Sequence, residues 1–185
     1  MSEKQRAAMS SDELKALATI MRHRDTVRLN IQRLTQELDR RALGHDLSKL
    51  ALDELEGFVR INETARTHPY GSVEYETSLA SEKRPGGCIA LHFRRNSHHP
   101  EFHALDHEMG FLDIIEMVLD WKAAADTYGT NTLRESLPVN RERFRFTAPQ
   151  WWLIEQVVNW IEPESGGTPP ESGGTPSERE DEHER

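Results

Sequence analysis

Between Ser10 and Gly44 apolar side chains recur at intervals of three and four residues, and the same period, not the two-residue alternation of a strand, returns along most of the chain. Ser10 and Glu13 have capping-box spacing, and Leu14, Leu17 and Met21 follow, so a first helix is expected to open there. Val27, Ile31, Leu34 and Leu38 carry the period through Leu43 in a second helix, and Gly44 supplies a break. Stepping that stripe back by four residues lands on His23, which the period turns toward the core. A third helix is expected from about His45 to Ile61. Turn material at Thr67 to Ser72 and at Arg84 to Gly87 brackets a short helical candidate, and Cys88 to Arg95 reads as one or two helical turns ending before Pro100. A strong helix covers about Leu105 to Tyr128. Thr147 and Gln150 open a last one, and only Phe144 to Phe146 suggests extended chain. Trp121, Trp151, Trp152 and Trp160 are expected as core anchors. The fold class predicted is all-α, a helical bundle over residues 1–162.

Composition narrows what such a bundle can do. The net charge is −9, of which residues 163–185 carry −5, so the body is only mildly acidic. That argues against stable nucleic-acid binding, which draws on Lys and Arg to neutralise phosphates. Residues 163–176 read PESGGTP twice, and with SEREDEHER after them they predict a disordered acidic tail. The one cysteine, Cys88, excludes an intramolecular disulfide and a Cys-rich zinc site, whereas nine histidines allow a site built from imidazole and carboxylate. The opening MSEKQRAAMS has no apolar stretch, and no run approaches the ~18 apolar residues of a membrane span. A soluble cytoplasmic protein is expected.

Three segments carry candidate chemistry. His45-Asp46 lies in GHDLSK, with Lys49 three positions on. LHFRRNSHHPEFH, residues 91–103, holds His92, His98, His99 and His103 beside Arg94 and Arg95. Asp113, Glu116 and Asp120 line up at i, i+3 and i+7 in an otherwise apolar helix; buried carboxylates are costly unless paired or bound to metal. Any one of these histidines taken singly reads as an ordinary core or surface residue.

The order His23, His45-Asp46, His92, His98-His99, then an aspartate in EMVLDW resembles the HD superfamily of metal-dependent phosphohydrolases. HDLSK, HFRRNSHH and EMVLDW together look more closely like an HD-like bacterial and phage family catalogued as a domain of unknown function. The resemblance covers roughly residues 20–160. It implies His23, His45, Asp46 and Asp120 around a first metal, with Asp46 bridging, and His92 with His98 or His99 at a second. Asp113 is the alternative to Asp120, and His103 or His107 the alternative to a histidine of the cluster. Lys49, with Arg94 or Arg95, would clamp phosphate, and Glu116 would orient a ligand or water. The cofactor implied is one or two divalent transition ions, Mn or Fe first, with Mg, Co, Ni or Zn as alternatives. The activity implied is hydrolysis of a small nucleotide or related phosphate ester by metal-activated water. Two other functions fit the same residues: an HD-type di-iron oxygenase, and a metal-stabilised binding module without turnover that uses the acidic tail as an interaction arm.

Overall fold

A computed structural model describes residues 9–68, 72–105, 108–128 and 132–163. The described residues are all helical or irregular. The helices are α1 (Ser11–Gly44), α2 (Leu52–Thr67), α3 (Val73–Glu82), α4 (Cys88–Arg95), α5 (Phe111–Tyr128), α6 (Leu133–Arg143) and α7 (Ala148–Ile161). Short 3-10 turns occupy Leu47–Leu50 and Pro100–Phe102. The expected all-α bundle is what the chain forms, and among the described residues no helix is long and apolar enough to cross a membrane. The acidic tail predicted for 163–185 lies outside the described residues from 164 onward.

Helix boundaries differ from expectation where neighbouring backbone or packing overrides a local signal. The first two expected helices are one, α1, 34 residues long with the Ser10–Glu13 capping box closed at its start. No glycine or proline interrupts it before Gly44, so the backbone has no reason to break. The third expected helix begins at Leu52, not His45, because Asp46 takes a left-handed backbone conformation (φ 57°) that ends helical propagation. The helix expected from Leu105 starts at Phe111; the Met109 carbonyl just before it accepts from Gln150 Nε2 (3.1 Å), tying that segment to α7. Helix α6 was not expected. It carries Pro138 in its interior, yet a Thr132–Glu135 capping box opens it.

Two hydrophobic clusters hold the helices. Ile114, Met117, Val118, Leu133, Phe144, Ile154 and Val158 join α5, α6 and α7. Trp151 is buried in this cluster and Trp121 stacks on Phe144, but Trp152 and Trp160 are 62% and 72% exposed and anchor nothing. The helical period puts them on the outer face of α7, opposite Ile154 and Val158. The second cluster is Ile61, Cys88 and Ile89, with Phe58, Leu79 and Phe93 against it, and joins α2, α3 and α4. Here Gly57 lets α2 approach α4: a Cβ on it would lie 2.4 Å from Cys88 Cβ. Glu82 caps α4 in place of an N-cap side chain, its carboxylate accepting from the Cys88 backbone N–H and from Arg60.

Candidate metal centre

Between the two clusters runs a polar seam built from four pieces of chain: the kink after α1, the face of α4, the loop that follows it, and one side of α5. The left-handed backbone at Asp46 turns its carboxylate inward instead of continuing the helix. Asp46 Oδ1 lies 3.1 Å from His92 Nε2 on α4 and 3.4 Å from His98 Nε2 in the loop. Donor atoms of Asp46, His92, His98 and His99 all fall within 4.8 Å of one another. A second group, His45, His98 and Asp120, meets the same criterion.

Asp46 Oδ1 and the Nε2 atoms of His92, His98 and His99 are buried and have no hydrogen-bond partner. Leaving even one buried polar atom unpaired costs about 1–3 kcal/mol, and four converging on one point call for a shared partner. Donors about 2.1 Å from one ion stand about 3.0 Å apart along an octahedral edge and about 3.4 Å along a tetrahedral one, so the two close distances suit a cation between them. The donor set, neutral imidazole plus one carboxylate, suits first-row divalent ions.

The imidazoles are held by groups behind them. Glu54, fully buried on α2, accepts from Ser48 Oγ (2.9 Å) and stands 3.1 Å from His92 Nδ1. A proton on Nδ1 leaves the Nε2 lone pair facing Asp46. Asn96 Nδ2 donates to the His92 carbonyl (2.7 Å) and to Ser48 Oγ (2.8 Å), fixing the same corner. On the other side Glu116 Oε1 serves two rings at once, His45 Nδ1 at 3.0 Å and His98 Nδ1 at 3.2 Å, while its Oε2 accepts from Arg41 (3.1 Å). With Nδ1 turned to Glu116, His98 keeps one lone pair, which can serve only one of the two donor groups at a time.

Charge in the seam is uneven. Burial by itself would raise the Asp46 carboxyl, but His92, His98 and Lys49 outweigh it and hold the group well below the usual carboxylate range. Lys49 Nζ donates to Asp46 Oδ2 at 2.5 Å and lies over the Phe58 ring. Asp120, 3.5 Å from His45 Nε2, pushes that imidazole up to about 9 against the effect of burial, with Glu116 and Asp46 adding to it. His99 goes the other way: burial, then the charges of His98 and His92, bring it down to about 3, so at neutral pH it presents a free lone pair.

Of the residues predicted from the sequence, His45, Asp46, His92, His98, His99, Glu116 and Asp120 come together here. Asp120 rather than Asp113 joins the donors, since Asp113 accepts from Arg41 (2.8 Å) and Ser97 (2.6 Å). His103 is taken by the Ser97 carbonyl (2.8 Å), and His107 lies outside the described residues. His23 is not at the centre. It is exposed on α1, and 21 residues of straight helix put it about 30 Å from Gly44. Arg95 is no anion clamp either, because its guanidinium is spent on Asp53 (2.6 and 2.9 Å) and Glu54 (2.8 Å). The Arg94 side chain is exposed and makes no hydrogen bond or ion pair among the described residues.

No sequence signal singles out Glu54 or Arg41 as a supporting residue. Glu54 sits in the first turn of α2, where an acidic residue is common at any helix N-terminus, so nothing local marks it. No curated protein and no solved structure matches the sequence. Residues 12–165 match a family described only as a family of unknown function (DUF5662), and the chain belongs to it.

Proposed function

We propose that this chain is a divalent-metal-dependent phosphohydrolase acting on a small phosphate-containing substrate. Asp46, His92, His98 and His99 would hold one ion, and His45 and Asp120 would border a second position beside them. The observation that carries the reading is the set of four buried donor atoms lacking hydrogen-bond partners. Their order along the chain, and the spacing of HDLSK, HFRRNSHH and EMVLDW, add the resemblance to the HD superfamily. A bound divalent ion, Mn or Fe before Mg, Co, Ni or Zn, supplies Lewis acidity and acidifies coordinated water.

The chain's own side chains do the remaining work. Glu54 and Glu116 fix the rings from their Nδ1 sides, so donors are oriented before any ligand arrives. Lys49, at 39% exposure, is the cation on the open side of Asp46. Its ammonium can turn from Asp46 Oδ2 to a phosphate oxygen once that carboxylate is otherwise engaged, and Arg94, exposed on α4, is a second candidate cation.

The test is elemental analysis of protein purified without chelators, for the wild type and a His45→Ala, Asp46→Ala double variant. One or two Mn or Fe per chain, lost in the variant, is the expected result. It is followed by hydrolysis of bis-p-nitrophenyl phosphate and p-nitrophenyl phosphate with Mn2+, with and without O2. Turnover that requires O2 and iron would replace the hydrolase reading by the oxygenase; metal without turnover on any ester leaves a binding module. A wild type that takes up no metal after reconstitution defeats all three.

A further inference from the structure

We infer that α1 pairs antiparallel with the α1 of a second copy of this chain. None of the 34 residues of α1 is buried. Leu17, Ile20, Val27, Ile31 and Leu34 form one stripe along it and are 43–60% exposed. Only beyond that stripe does the helix meet its own body, where Arg41 reaches Asp113 and Glu116. A helix of this length standing free in water keeps little of the stabilisation that packing an amphipathic face supplies.

Among the described residues nothing packs over the stripe. Residues 1–8 and 164–185 contain no Leu, Ile, Val, Phe or Trp, and the latter segment is rich in Gly, Pro, Ser and Glu. The helix itself is the matching surface. Arg24 sits in the middle of the stripe, so parallel pairing would set Arg24 on Arg24 and align two macrodipoles. Antiparallel pairing centred between Asp25 and Thr26 sets Leu17 against Leu34, Ile20 against Ile31, and Arg24 beside Val27. At 1.5 Å per residue and a width of about 10 Å, two such helices enclose on the order of 1,000 Å2, the threshold of a specific interface, so dissociation in the micromolar range is expected.

Sedimentation velocity on the full chain, across a concentration series spanning that range, reads the result. The wild type should approach twice the 21.3 kDa of one chain, and an Ile20→Glu, Ile31→Glu variant should stay at one. Both residues are exposed in the single chain, so at dilutions where the wild type is itself monomeric the variant's far-UV circular dichroism and melting temperature should match the wild type's, and only the wild type's melting temperature should rise with concentration. Orientation is read by cysteine cross-linking. Leu17→Cys alone should give no cross-linked dimer, whereas Leu17→Cys with Leu34→Cys should, since about 25 Å separates these positions within one helix. A wild type that remains monomeric, in which case the stripe belongs to a different protein, overturns the inference. A dimer that survives the double glutamate variant also does so, and cross-linking through Leu17→Cys alone overturns the antiparallel arrangement.

Discussion

Glu54→Gln separates an organised centre from a chance cluster. The wild-type carboxylate is fully buried, with one oxygen between Ser48 Oγ and His92 Nδ1 and the other on Arg95. Glutamine keeps the volume but has one acceptor where there were two. Either its NH2 faces His92 Nδ1, donor against donor, or it faces the Arg95 guanidinium. The first choice drives the His92 proton to Nε2 and blocks the atom aimed at Asp46. Losing one charge-assisted bond at the fully buried carboxylate costs about 1.5–3 kcal/mol of stability. Disturbing a group that orients a ligand weakens metal binding about 10–100-fold. Urea unfolding of the metal-free protein reads the first quantity, and Mn2+ titration in competition with a chelating dye reads the second. A variant whose unfolding midpoint falls while its Mn2+ affinity equals the wild type's would refute the reasoning, leaving Glu54 as a purely structural carboxylate.

Three further outcomes are expected. Gly57→Ala puts a Cβ 2.4 Å from Cys88 Cβ and 2.8 Å from Glu82 Oε2, so α2 and α4 must separate; a loss of about 1–3 kcal/mol in urea unfolding is expected, and an unchanged midpoint would contradict the packing. His23→Ala should leave metal content and affinity as in the wild type, because about 30 Å of helix separates it from the centre; metal loss in that variant would return His23 to the ligand set. In the metal-free protein His45 is raised from 6.5 to about 9, so its contribution to stability is complete below pH 6.5 and disappears as pH rises through about 9. His99, lowered to about 3, acts below pH 6.5 and leaves that window to His45. Urea midpoints should therefore fall between pH 6.5 and 9 for the wild type and stay flatter for His45→Gln.

Local signals in the sequence carried a good deal. The capping boxes at Ser10 and Thr147 open helices where they were expected, because a cap is settled by residues three apart. The i, i+3, i+7 row of Asp113, Glu116 and Asp120 does share one side of α5, since helical period alone dictates it. His45-Asp46 and the His92 to His99 segment do meet, and their chain order pointed there through resemblance. Where local signals misled, backbone context was the cause. His45-Asp46 was expected on a helix, but a left-handed residue turns the pair out of one.

What the sequence determined by itself was therefore helix content, the positions of most helices, and a pool of polar residues too numerous to be accidental in an apolar setting. Only the tertiary structure chose among them. Asp120 faces His45 while Asp113, two turns earlier, is held by Arg41 and Ser97; His103 is diverted to a carbonyl; Glu54, 38 residues from His92, supplies its support. His23 shows the same limit from the other side, since a stripe position that reads as inward faces solvent when no other element packs on that part of α1. Periodicity states which residues share a face, but burial and partners depend on which faces meet, and that is set by packing between elements distant in the chain.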